Sequence, residues 1–312
     1  MTLLRERRGA RRPPVGAGSP AVSGLVPSTR RAALPAGMRS APQQLLLRRS
    51  GQGRKAVKET RMIAIARLES EFGDIEVLEY RARGLFFYVQ GGCFQTETDR
   101  DGISLAPYIH AIYSLLMQAG ARDVLMIGCG GGSLGTMLVK ANVQVTIVDK
   151  NRASFEIASN YFRLPDSIDC HVADGKEFLL GTTHSYDAIV LDAYDGDSIP
   201  PHLRTVEFFR LVQSRLDEFR GCLLANVHAL NDLDRAPDRY AIAARSAFHD
   251  VRLLDTQGGI GRNALIVAGN VKDLRKPGFS CRRCWIATRL PQASAGWRSD
   301  PGVSSLRIAL RQ

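Results

Sequence analysis

The sequence has no run of about 18 uncharged apolar residues, so no helix of it is expected to span a membrane. The N-terminus lacks the apolar core of a secretory signal. Cysteine is sparse: six in 312 residues, at 93, 129, 170, 222, 281 and 284. Three of them, Cys129, Cys170 and Cys222, fall in or beside expected buried strands. That usage fits small apolar side chains in a reducing, cytoplasmic setting rather than a disulfide framework. Cys281 and Cys284 form one CxxC with no second pair, whereas a structural zinc site wants four ligands. The histidines show no metal spacing, and no metal is expected.

Acidic residues are nearly missing from both ends. Residues 1–61 hold 14 Lys and Arg against 2 Asp and Glu, and residues 272–312 hold 9 against 2. That leaves 19 basic and 27 acidic residues in 62–271, a net charge of −8 inside a chain of +11. The foldable part is acidic, which attracts cations and repels phosphate backbones. The basic isoelectric point therefore belongs to the ends, and no nucleic-acid or membrane partner is expected. Residues 1–61 are rich in Arg, Pro, Gly, Ser and Ala and read as a disordered basic tail. By composition they also fit a transit segment, or an over-extended start ahead of Met62. Residues 271–312 read as a second basic tail, mostly irregular.

Between the tails the patterning is regular. Residues 62–103 read as a small β unit, with the alternating "IEVLEY" and "LFFYV" joined at Arg83-Gly84 and a third strand in "GGCFQTET". Residues 104–119 read as a helix carrying Leu105, Tyr108, Ile109, Ile112, Leu115 and Leu116, stopped by Gly120. Strands and helices then alternate. Strands are expected at 123–128, 143–149, 168–174, 186–192 and 221–227, with helices at 133–141, 152–162 and 205–216. This spacing predicts a doubly wound parallel sheet over 104–270. Strands 250–256 and 263–269, joined by "QGGIGR", close it as an antiparallel hairpin at the sheet edge. That is the S-adenosylmethionine methyltransferase variant of the α/β fold.

The strand "VLMIG" runs into "CGGGSLG" and a helix. Glycines permit a sharp turn and close ligand approach, and the helix start offers free N–H groups. In such sheets ligands sit beyond the carboxyl ends of the strands. Gly128, Gly130, Gly132 and Gly175 are the glycines assigned to the cofactor. Asp149 stands 19 residues after Gly130, where a carboxylate accepts from ribose hydroxyls. Asp174 ends the third strand, placed for an adenine amino group. Asp192 ends the fourth, with Asp195 just beyond. A single Asp at a strand end can simply cap a helix, but three on successive strands point to an adenosyl cofactor. A nicotinamide cofactor fits the glycines and would not need Asp174 or the Asp192/Asp195 pair. "DGDS" at 195–198 also reads as a turn. His202, in the following loop, is able to pass a proton, though a loop histidine is ordinarily solvated. Asn226 and His228 stand at the end of the fifth strand as pocket-lining or plain polar residues.

At these residues the sequence resembles the spermidine synthase family, the polyamine aminopropyltransferases, over roughly 68–270. The resemblance runs through "ESEFGDIEV", "GGCFQT", "VLMIGCGGGSLG", "VTIVD", "ADGKEFLL" and "YDAIVLDAYDGDSIPPHLRTVEFF". The last is the most specific, with Asp192, Asp195, Pro200, Leu203, Thr205 and Phe208 on the family pattern. The resemblance implies donor binding by Asp149 and Asp174 and amine handling by Asp192 and Asp195. It implies Gln95 and Tyr108 as contributors from the N-terminal part, and Tyr194, between the two acids, is placed to pack on the acceptor's methylenes. It also implies decarboxylated S-adenosylmethionine or S-adenosylmethionine as co-substrate, a small cationic amine, a di- or polyamine, as acceptor, and a homodimer. Two departures stand out. Gly131 replaces the Asp that in the family holds the donor's aminopropyl amine, and Gly73 replaces a Gln. They place the chain in a spermidine-synthase-like branch. They favour two alternatives, a methyltransferase on the same fold and a non-catalytic adenosyl-binding protein. The Asp192/Asp195 pair and the acidic domain favour aminopropyl transfer.

Overall fold

The computed structural model describes residues 62–196, 198–255 and 261–277, and the backbone of 296–298. The two basic tails, with Cys281 and Cys284, lie outside the described residues, apart from 271–277 and that short stretch. So do Asp197 and most of the turn after Asp255.

Four antiparallel strands come first: β1 (Met62–Leu68), β2 (Ile75–Tyr80), β3 (Leu85–Gln90) and β4 (Cys93–Thr98). They pair in sequence order. In β4 the register slips, so that Tyr88 faces Thr96 but Val89 faces Phe94. Gln95 is the extra residue of this bulge, which re-aims the side chains around it.

The main sheet follows. Its elements are α1 (Pro107–Gln118), β5 (Asp123–Ile127), α2 (Ser133–Lys140), β6 (Gln144–Asp149), α3 (Arg152–Tyr161), β7 (Asp169–Val172), α4 (Gly175–Gly181) and β8 (Ala188–Leu191). After β8 come a 3-10 turn (Pro201–Arg204), α5 (Val206–Ser214), β9 (Cys222–Ala229), α6 (Ala236–Arg245), β10 (Val251–Asp255), β11 (Arg262–Gly269) and β12 (Gly296–Arg298). The order is β12-β10-β11-β9-β8-β5-β6-β7. Strands β5 to β9 run parallel, and β11 returns antiparallel beside β9. The chain builds outward from β5 through β6 to β7, then crosses back to place β8 on the other side of β5. The reversal makes the ends of β5 and β8 a topological switch point, the place where open α/β sheets bind ligands in a crevice beyond the strand ends.

Each central strand is buried on both faces, so its apolar run divides between two cores. Val124 and Met126 meet α1 and α2, while Leu125 and Ile127 meet Leu179 of α4 and Phe208, Phe209 and Val212 of α5. A third, smaller core seats the β unit on α3: Ile75, Val77 and Tyr88 pack on Ile157 and Phe162. The Tyr88 hydroxyl lies 3.2 Å from Ser154 Oγ and donates to Gln90 Oε1 at 2.7 Å.

Several expectations need correction. The first helix starts at Pro107, not 104, because a residue before proline is pushed out of the α region and Ala106 is extended. Asp174 does not end a strand: β7 stops at Val172, and Asp174 caps α4. Helices α4 and α6 were not expected. The signals lay in Asp174 ahead of "GKEFLL" and in the first-turn Pro237 ahead of Tyr240, Ala241 and Ala244. The hairpin strand β10 is not the sheet edge, since β12 pairs along it.

Candidate active site

The glycine loop runs from β5 into α2 and opens on the crevice. Gly128, Gly130 and Gly132 all have positive φ. At Gly128 (φ 104) a Cβ would collide with the carbonyl of Asp192, so only glycine lets β5 and β8 end this close. The loop is held from outside as well, by Thr96 Oγ1, which accepts from Gly131 N at 2.8 Å. A Cβ on Gly131 would lie 2.8 Å from Thr96 Cγ2 and 3.0 Å from the Phe162 ring. The missing carboxylate at 131 is thus matched by a missing space. Gly175 serves packing, as its α-carbon lies against Ile127 and a side chain there would collide.

Asp149 stands at the end of β6. One oxygen accepts from Cys129 N and the other from Asn151 N, each at 2.8 Å. Burial pushes its carboxyl up, while those two N–H groups and the nearby Lys150 pull it down. A carboxylate accepts about four hydrogen bonds, so two positions remain for hydroxyl donors. Asp174 is more occupied. Its Oδ1 accepts from Lys176 N at 2.8 Å and Glu177 N at 3.3 Å, the cap of α4, and its Oδ2 lies 2.7 Å from His202 Nε2. The capping role is real here and coexists with a second oxygen turned to the loop after β8. His202 is therefore not merely solvated, since it ties that loop to α4.

Asp192 stands just past the end of β8, at the switch point. Its Oδ1 accepts from Asn226 Nδ2 at 2.7 Å and its Oδ2 from the Tyr108 hydroxyl at 3.1 Å. Burial raises its carboxyl above the ordinary range, and these two donors partly oppose the rise. Asn226 Oδ1 is buried without a partner. Tyr108 is itself pushed up by burial and by the charge of Asp192. Tyr194 commits its hydroxyl to β9, donating to Asn226 O at 2.9 Å and accepting from His228 N at 2.8 Å. Asp195 sits in a turn closed by its backbone bonds to Ser198, as "DGDS" suggested. Gln95 brings its backbone alongside Gly130.

Two groups near the crevice escaped the sequence reading. Glu97 lies within the electrostatic reach of Tyr108, and burial lifts its carboxyl to about 7. The bulge at Gln95 decides which way it faces, and no local pattern announces a bulge. Lys150 places its ammonium 3.6 Å from Asp195 Oδ2 and 4.3 Å over the Phe72 ring.

No protein-family profile matches the chain. Among curated proteins it is 29% identical over 178 residues to the polyamine aminopropyltransferase of Vibrio vulnificus, covering 53% of this chain and 59% of that protein. It is 27% identical over 141 residues to the probable polyamine aminopropyl transferase of Bifidobacterium longum, covering 44% and 31%. It is 33% identical over 101 residues to the polyamine aminopropyltransferase of Neisseria meningitidis serogroup A, covering 31% and 38%. The chain thus spans less than two thirds of each of these relatives. Among solved structures, a probable spermidine synthase from Corynebacterium glutamicum superposes with a TM-score of 0.62 at 18% identity, covering 79% of this chain and 99% of that one. The spermidine synthase of Thermotoga maritima gives 0.52 at 19% identity, covering 69% and 75%. The structural likenesses bear out the expected fold, and by sequence the chain is similar to polyamine aminopropyltransferases over up to about half of its length.

Proposed function

We propose that the protein is a transferase that moves an aminopropyl group from decarboxylated S-adenosylmethionine to a di- or polyamine. The observation that carries this reading is Asp192, a carboxylate of raised proton affinity at the crevice, aimed by Tyr108 and Asn226. Asp149 takes the ribose hydroxyls through its two open acceptor positions, Asp174 and His202 border the adenine, and the glycine loop approaches the adenosyl group. Asp192 takes a proton from the acceptor's ammonium, and the freed nitrogen lone pair attacks the aminopropyl carbon next to sulfur. The C–S bond breaks, methylthioadenosine leaves, and the product amine departs as its ammonium.

The base has a definite task. An amine of pKa about 10.4 is almost wholly protonated at pH 7, and freeing its lone pair costs about 4.6 kcal/mol. A positioned base returns roughly 10²- to 10⁴-fold. Burial brings Asp192 nearer to the amine in proton affinity, which suits it to this role. The fold's acidity agrees with a cationic acceptor. The same reading carries a homodimer, by the family analogy, and a cytoplasmic setting, by the free thiols.

One observation favours methyl transfer instead. Gly131 has neither a carboxylate nor room for one, so the amine end of the donor loses a counter-charge. Incubation with each donor separately decides: methylthioadenosine from the decarboxylated donor supports aminopropyl transfer, and S-adenosylhomocysteine from the intact donor supports methyl transfer. Asp192→Asn adds a second test. The unpartnered Asn226 Oδ1 lets that amide flip and accept from the new Asn, so the fold should tolerate the change. Donor affinity should hold while turnover falls about 10²- to 10⁴-fold. Raising the pH should restore part of the rate by supplying neutral amine. A variant as fast as wild type would remove Asp192 as the base.

A further inference from the structure

Four acids around the site have partners within the protein. Asp149 accepts from two backbone N–H groups, and Asp174 caps α4 and meets His202. Asp192 accepts from Tyr108 and Asn226, and Asp195 faces the ammonium of Lys150. Glu97 differs: among the described residues its carboxylate has no hydrogen-bond donor and no ion-pair partner. Its place is fixed by the backbone. Thr96 turns to the glycine loop and bonds Gly131 N, and side chains alternate along a strand, so Glu97 faces the other way. There it stands opposite Phe87, whose ring meets that of Phe94 edge-on at 5.9 Å between centroids. The Glu97 carbonyl accepts from Leu105 N at 2.9 Å, which ties β4 to the lead into α1, where Tyr108 follows three residues later. Tyr108 is thus common to two acids: its hydroxyl donates to Asp192, and the charge of Glu97 acts on it from β4. Glu97 is only partly buried, so a ligand can reach it.

We propose that Glu97 is an acceptor-specificity residue, whose carboxylate takes the second ammonium of a di- or polyamine while the reactive nitrogen lies at Asp192. This rests on the aminopropyl-transfer reading above. The two ends of such an acceptor need different treatment. The reactive nitrogen must give up its proton, which Asp192 receives. The other nitrogen keeps its charge and needs a counter-charge away from the base. An unpaired carboxylate withdrawn from water is costly, and a ligand of opposite charge removes that cost. The Phe87 and Phe94 rings keep water from this face, where an opposite charge acts more strongly than in bulk. Burial lifts the Glu97 carboxyl to about 7, and an arriving ammonium favours its charged form.

The test is the ratio of affinities for putrescine and butylamine, measured calorimetrically on the full chain saturated with methylthioadenosine and in parallel by turnover. Glu97→Gln removes the charge at nearly constant shape. It should weaken putrescine about tenfold, the order of one hydrogen bond to a charged group, and leave butylamine within about twofold. Glu97→Asp keeps the charge and withdraws it by one methylene. It should shift the preference from putrescine toward cadaverine, the diamine one methylene longer, which a merely structural role would not do. Equal effects of Glu97→Gln on putrescine and butylamine, or no preference for putrescine in wild type, overturn the proposal. So does an unchanged putrescine-to-cadaverine ratio in Glu97→Asp. Methylthioadenosine formed from the decarboxylated donor with either of those results leaves the transfer reading standing. The expected loss of putrescine binding with no methylthioadenosine formed from any amine overturns the transfer reading and leaves Glu97 as the ammonium site.

Discussion

At the scale of single residues, the crevice sets one carboxylate against its donors and leaves another nearly bare. Tyr108 favours the charged form of Asp192, so Tyr108→Phe should raise that carboxyl's pKa. The acid limb of the rate profile should then move up by about one pH unit, the order of one lost hydrogen bond to a charged group. An unmoved limb would separate Tyr108 from the titrating group. Glu97 has the opposite setting, with burial lifting its pKa from 4.5 to about 7. Between those values the folded state keeps a proton that the unfolded chain has lost, so unfolding releases it. Stability from this group is therefore full below about pH 4.5 and lost as the pH rises through 7. Glu97→Gln should leave stability near pH 5 little changed and raise it at pH 8 by about 1–3 kcal/mol. The side chain's partly open edge keeps this toward the lower figure. Denaturant titrations at the two pH values check it, and equal effects at both would contradict the burial argument.

At the scale of elements, strand β4 and the glycine loop act on each other. Thr96 bonds the loop at Gly131, and Phe162 closes the other side. Restoring a carboxylate at 131 looks from the sequence like a simple repair. The packing makes it a collision, because overpacking a tight site costs about 1–3 kcal/mol in displaced neighbours. Gly131→Asp should lower the melting temperature and weaken methylthioadenosine binding, without gain of aminopropyl transfer. Gly131→Asp combined with Thr96→Ser, which keeps the hydroxyl and deletes the clashing methyl, should recover part of the lost stability. Gain of transfer in Gly131→Asp alone would show that the loop yields more easily than its contacts suggest.

At the scale of the whole molecule, the β unit and the parallel-sheet domain share a core at α3. We propose that this pair, from Met62 onward, is the working unit, and that the basic N-terminal segment is dispensable for fold and activity. The ground is composition, since residues 1–61 carry a net charge of +12 and few large apolar side chains to bury. A chain starting at Met62 should keep its melting temperature and its affinity for methylthioadenosine. A large loss of either would make the basic segment structural. Much of this architecture was legible in the sequence. Alternating apolar runs named the strands, and Gly-rich turns named the loop at Gly128–Gly132. Boundaries slipped where a proline or a cap overrode periodicity, at Ala106-Pro107 and at Asp174.

The sequence by itself determined the order of strands and helices, the glycine turn and the set of available acids. Periodicity, turn chemistry and capping are local, acting over a few residues. Only the tertiary structure decided who meets whom. Tyr108 reaches Asp192 across 84 residues, Thr96 reaches Gly131 across 35, and His202 reaches Asp174 across 28. Those meetings follow from the crossover that puts β8 beside β5 and from the seating of the β unit on α3. The seating of the β unit also closed the space at Gly131, because side-chain packing in a folded core is set by neighbours distant along the chain.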